Sequence, residues 1–166
     1  MVRADPEPRR LNVMRGPAED FVISGYRTRV SAGETCPDLS IPAFPLISAE
    51  AVASAFAGFV EALKQCAACP LSAFRPDDQC LSRDELLVLS LVSALQHGDD
   101  ETTVLAASTL TCPGRVHETI HAAAGFAMLL KVSGAILLPV SAPTLRALTE
   151  TVSIHNRAGL SPVPRH

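Results

Sequence analysis

The stretch "SRDELLVLSLVSALQHG", Ser82 to Gly98, restricts the fold more than any other part of this chain. Ser82 with Glu85 three residues on spells a capping box, in which each side chain satisfies the other residue's backbone amide at a helix start. Gly98 closes the stretch, because glycine takes the left-handed conformation that ends helices. Between these signals the residues are apolar on nearly every side, so the helix has no broad polar face to turn to water. It reads as the central helix of a helical domain.

Composition agrees. The chain is 48% hydrophobic but only 4% aromatic and has no Trp, so its core is built from Ala, Leu, Val and Ile. Ala-rich, aromatic-poor cores suit closely packed helices better than sheets. At 166 residues, one domain is expected.

Further helices fall on either side. Ser48 is an N-cap candidate with Glu50 in the first turn, and Val52, Phe56, Phe59, Val60 and Leu63 follow at three-and-four spacing up to the stop at Pro70. Asp99 or Asp100 caps a short helix that ends at "TCPG". Another helix runs from about Arg115 to Ser133, and Ser141 caps a last one carrying Leu145, Leu148 and Val152. The fold class is therefore all-α, a small irregular bundle of about five helices. Residues 1–46 hold many of the prolines and no helical periodicity, and read as an extended, Pro-rich N-terminal arm. Within it "FVISGYRTRV", Phe21 to Val30, suggests an extended segment interrupted by Gly25. The helical domain spans 47–158 and a flexible tail 159–166; "GAILLPV", Gly134 to Val140, is the best candidate for a stray strand.

Several classes drop out on charge and patterning. A net charge of −3 and a pI near 5.9 give no nucleic-acid footprint. Arg3, Arg9, Arg10 and Arg15 are interleaved with acids and read as a solvated arm. Only Lys64 and Lys131 are lysines among the basic residues, a bias of high-GC, bacterial-type genomes that carries no function. The N-terminus lacks the apolar core of a secretory signal, and Asp5, Glu7, Glu19 and Asp20 argue against a mitochondrial presequence. A cytoplasmic, reducing compartment is the expectation, in which the cysteines are free thiols or metal ligands rather than disulfides. The apolar run Ala122 to Val140 raises the question of a membrane span, but Lys131 at its midpoint costs on the order of 3 kcal/mol there, and Gly134 and Pro139 break it. It reads as a buried helix followed by a short apolar segment.

Two constellations carry chemistry. "QCAACPLSAFRPDDQC" places Cys66 and Cys69 at a helix end and Cys80 just before the next helix. With Cys112 they form a candidate four-thiolate set for zinc or an iron–sulfur cluster, which would order the 66–80 loop. Cys36, Cys69 and Cys112 each precede a proline, which occurs at the edge of iron–sulfur ligand sets. Packing as small apolar residues is the competing reading of these cysteines.

The second constellation is "HETIH", His117 to His121. Two histidines four apart on a helix point the same way, and Glu118 lies beside them as a candidate general base. These five residues resemble the zinc-binding motif of zincin metallopeptidases. That resemblance implies a third ligand, for which Glu150 or His155 is available, and a sheet edge to hold substrate. The long form of the motif fails, because Ala124 and Ala127 stand at the positions of its Gly and third His. Glu118 and His121 also match the Glu-x-x-His half-site of di-iron bundles, without a second half.

Three functions are expected in competition. The first is a small helical regulatory or binding protein with the cysteine-ligated site. The second is a cofactor-free helical interaction module with a protein partner or a homo-oligomer. The third is a zinc hydrolase using His117, Glu118, His121 and Glu150.

Overall fold

The computed structural model describes residues 15–31, 48–65, 70–75 and 77–149. These residues form helices and no strands: α1 (Pro17–Ser31), α2 (Ala49–Lys64), α3 (Arg83–His97), α4 (Asp100–Leu110), a 3-10 turn (Pro113–Arg115) and α5 (Val116–Val132). Residues 142–149 are helical up to the edge of the described part. The all-α expectation holds. No helix among the described residues is long and apolar enough to cross a membrane.

The boundaries follow the local signals. Ser48 Oγ accepts from Ala51 N at 3.1 Å, and both halves of the Ser82–Glu85 capping box are made. Gly98 sits at φ +72°, the left-handed cap that a side chain would strain. Asp99 is the residue that caps α4: its carboxylate accepts from Thr102 N at 3.0 Å and from Thr102 Oγ1 at 2.6 Å. The hydroxyl bond, then the amide bond, holds the Asp99 carboxyl below its ordinary pKa.

α3 is the central helix. Leu86 to Ala94 are buried without a break, and α3 packs against α1, α4 and α5. The expected stripe of α2, Val52, Phe56, Phe59, Val60 and Leu63, is buried in full, and α2 packs on α5. Phe56, Phe59 and Phe126 meet there, with ring centroids 4.8 Å apart for Phe56 and Phe126 and 6.3 Å for Phe59 and Phe126.

One expectation is corrected. Residues 17–31, placed in the extended arm, are helical, including the segment Phe21 to Val30. Pro17 as first helical residue, with Glu19 and Asp20 in the first turn, are helix-start signals. The β-branched residues, Tyr26 and Gly25 lower the helix propensity of the sequence. Packing overrides it: Phe21, Val22, Ile23 and Tyr26 are all buried in the main core.

Arg27 ties α1 to the rest. It is 2% exposed and faces Glu85, which is 0% exposed. Arg27 Nε donates to Glu85 Oε1 at 2.7 Å and Nη2 to Glu85 Oε2 at 3.1 Å. The same guanidinium donates to the carbonyls of Asp78 and Cys80, both at 2.6 Å. Glu85 accepts in addition from the amides of Phe74 and Ser82. The loop before α3 is thereby folded over the end of α1, and Asp84 holds it further through Ser72 N and Oγ at 2.8 and 2.9 Å.

Tyr26 belongs to this clasp, its hydroxyl donating to Ser72 O at 3.3 Å. Burial pushes its phenol far above the ordinary value, and the negative charges of Asp84 and Glu85 add to the shift. The folded state thus disfavours phenolate. The associated stability is fully present below the unfolded tyrosine's pKa of about 10 and is lost as pH rises beyond it. Tyr26→Phe should cost about 1 kcal/mol or less at pH 7. Between about pH 10 and pH 12 its stability should fall less steeply than that of the parent chain. Urea titrations across that range that ran parallel for the two proteins would show that Tyr26 is not the responsible group.

Candidate functional site

Gly134, at φ +83°, turns the chain out of α5, with Gly134 N donating to Lys131 O and Ala135 N to Leu130 O. The strand candidate of the sequence is Gly134 to Val140, and the apolar segment after the turn is 135–140. It is neither helix nor strand, and side chains stand in for a partner strand. Gln96, 1% exposed, donates from Nε2 to Ala135 O at 2.9 Å and accepts Leu137 N at Oε1 at 2.8 Å. Ser93 Oγ donates to Leu138 O at 2.8 Å. His97 Nε2 lies 2.9 Å from Leu137 O, and since a carbonyl only accepts, that nitrogen carries the proton. Glu19 Oε1 accepts Leu138 N at 2.8 Å. A strap of backbone is thus pinned to α3 and α1 by four side chains.

The pinning decides what the strap presents. Leu137 is buried, whereas Ile136 and Leu138 are 53% and 62% exposed. On α5, Met128 and Val132, one turn apart, are exposed to a similar degree. Between the strap and the start of α1 lies an open cleft of about 450 Å³, lined among others by Pro17, Glu19, Phe21, Ile136 and Leu138. A second cleft, of about 360 Å³, lies on the other side and is lined by His97, Asp99, Ser141 and Thr144 among others.

The histidine motif is placed elsewhere. The buried stripe of α5 is Thr119, Ala123, Phe126, Ala127 and Leu130, so His117, Glu118 and His121 project to solvent. Val116 and Ile120 flank this stripe, half-buried against the same core, and Phe126 joins the aromatic cluster with α2. Glu118 Oε1 accepts from Arg115 Nη2 at 2.7 Å in a half-exposed ion pair. Glu150 and His155 lie outside the described residues. Among the described residues no three His, Cys, Asp or Glu side chains come together as a metal site.

The cysteine set divides. Cys66 and Cys69, with Cys36, lie outside the described residues. Cys80 is a half-buried free thiol, whose amide donates to Asp78 Oδ1 and whose carbonyl accepts from Arg27. Cys112 is disulfide-bonded, to a partner outside the described residues. A disulfide sulfur carries no thiolate charge, so in this state Cys112 is not a metal ligand. The disulfide also runs against the expectation of free thiols throughout a reducing compartment.

The side chains that build the strap were not singled out from the sequence. A signal was present. On an otherwise apolar helix, Ser90, Ser93 and Gln96 recur every three residues, and a buried polar line of this kind needs something to bond. Comparison of the chain with family models, with curated proteins and with solved structures gives no match.

Proposed function

We propose that the chain is a helical interaction module whose binding surface is the strap and the adjoining end of α5, and whose partner is a protein segment with an apolar face. The observation that carries this reading is the rigid exposure of Ile136 and Leu138 on a backbone held by Glu19, Ser93, Gln96 and His97. Holding exposed apolar side chains in place beforehand removes part of the ordering cost of association. Contiguous apolar exposure beside a cleft is the usual mark of an interaction site. The solvent-facing His117, Glu118 and His121, the disulfide at Cys112 and the ion pair at Glu118 give less support to a zinc hydrolase or a four-cysteine centre.

The test starts from a photoreactive side chain at position 136, compared with one at position 117, to capture the partner in the source cells. The captured protein, purified, should bind the full chain. Ile136→Asp with Leu138→Asp should weaken that binding about thirtyfold, the effect of losing roughly 2 kcal/mol of hot-spot contact. Equal affinity for the double variant would remove the strap as the binding surface. Stoichiometric zinc or iron in the purified chain, lost in Cys66→Ser, would favour the metal reading instead.

A further inference from the structure

α5 leaves one stripe of its surface uncovered from end to end. His117, His121, Gly125, Met128 and Val132 follow one another at three-and-four spacing, and all five are exposed. The face that packs into the core carries Thr119, Ala123, Phe126, Ala127 and Leu130 instead. The two ends of the stripe differ in chemistry. Met128 and Val132 belong to the apolar end beside the strap, whereas the histidines stand in the first turns of the helix. At a rise of about 1.5 Å per residue, His117 and Val132 are roughly 22 Å apart along the axis. The histidines are therefore separate from the interaction surface proposed above.

Neither imidazole makes a hydrogen bond or an ion pair among the described residues. Side chains four apart on a helix share a face, with Cβ atoms about 5–6 Å from each other. Two ring nitrogens carried at that spacing can both reach one ion at the ~2.0–2.1 Å of a zinc–imidazole bond. We infer that His117 and His121 chelate one divalent transition-metal ion on the surface of α5, with water in its remaining positions. The donor type selects the class of ion: imidazole suits zinc, nickel and copper, whereas magnesium and calcium prefer oxygen ligands. The ligand count selects the kind of site. Structural zinc is closed off by four protein ligands, so an ion held by two on an open helix face stays exchangeable. The helix does not wait for the ion either, since Ala123, Phe126, Ala127 and Leu130 already fix α5 in the main core. A helix held in this way presets the spacing of the two rings, and the second nitrogen then binds as an intramolecular ligand at high effective concentration. Glu118 is engaged by Arg115 and is not needed. The site asks for no third protein ligand and no general base, which separates it from the hydrolytic arrangement that the motif resembles.

The experiment titrates zinc into the full chain carrying isotope-labelled histidine and follows each imidazole by NMR, with signals assigned through His117→Ala and His121→Ala. The rings of His117 and His121 should shift together, at one shared midpoint, and magnesium should move neither. Each single replacement should weaken zinc binding at the remaining ring by roughly tenfold or more, the loss of the chelating partner. The decisive variant is His117→Ala with Gly125→His, which carries the four-residue spacing one turn along the same stripe. Position 125 opens onto free space, and any residue favours the helix more than glycine does. This variant should bind zinc within about threefold of the parent chain, because the face and spacing are kept. Rings that respond at different zinc concentrations, a replacement that leaves the other ring's affinity unchanged, or a shifted pair that binds no better than His117→Ala alone would each overturn the inference.

Discussion

Arg27→Met should lower the unfolding free energy by about 3–5 kcal/mol, the usual cost of removing one partner from a buried ion pair. The variant leaves Glu85 charged in the interior with only the Phe74 and Ser82 amides for company, and leaves the carbonyls of Asp78 and Cys80 without their donor. For a chain of this size that corresponds to a melting temperature lower by roughly 6–20 °C. Arg27→Lys should recover little, since one ammonium cannot serve a carboxylate and two carbonyls in the geometry of a planar fork. Adding Glu85→Gln to Arg27→Met should return part of the loss, because the stranded charge is gone while an acceptor for the two amides remains. Urea titrations at pH 7 measure all three variants. A loss below about 1 kcal/mol in Arg27→Met would mean that water reaches the clasp and the pair is worth no more than a surface bridge.

The other large effect is expected at Phe126. Phe126→Ala should cost about 3–5 kcal/mol through the cavity it leaves. The ring contacts with Phe56 and Phe59 add about 0.5–1.5 kcal/mol per pair beyond the area buried. Phe126→Leu, which keeps most of the volume, should cost less than half as much. The asymmetry matters more than either figure, because the α2–α5 contact depends on three rings in a chain that has only 4% aromatic residues. Equal losses for Ala and Leu would indicate that ring geometry, rather than filled volume, holds the two helices together.

The helices were legible where the sequence carries explicit punctuation. Ser48, Ser82, Gly98 and Asp99 act in the structure as their side chains and backbone requirements imply. α1 was not legible, because its apolar residues run nearly together instead of at helical spacing; burial in the main core, rather than local propensity, makes this segment a helix. The strap was misread for a related reason. A run of Ala, Ile, Leu and Leu between glycine and proline has the composition of a strand, and nothing in the run itself says that its hydrogen-bond partners will be Gln96, Ser93, His97 and Glu19. Side-chain partners drawn from positions 39 or more residues away are a tertiary fact.

The candidate sites show the opposite imbalance. Motifs such as "HETIH" and the paired cysteines are conspicuous because they are made of chemically distinctive letters. Whether those letters converge depends on which face a helix buries, and α5 buries Thr119, Ala123, Phe126, Ala127 and Leu130, which leaves His117 and His121 in solvent. The exposed apolar pair Ile136 and Leu138 has no such letter code. It can be told from ordinary core residues only once the backbone that carries it is placed.

The way the strap is held has a consequence for the behaviour of the chain in a crowded solution. An extended apolar segment with open amides and carbonyls is a template on which another chain can add as a strand, the first step toward aggregation. Here the carbonyls of Ala135, Leu137 and Leu138 and the amides of Leu137 and Leu138 are already taken by side chains of the same molecule. The segment can display its Ile and Leu side chains while offering little backbone for a neighbour to pair with, so stickiness toward a fitting partner is separated from stickiness toward copies of itself.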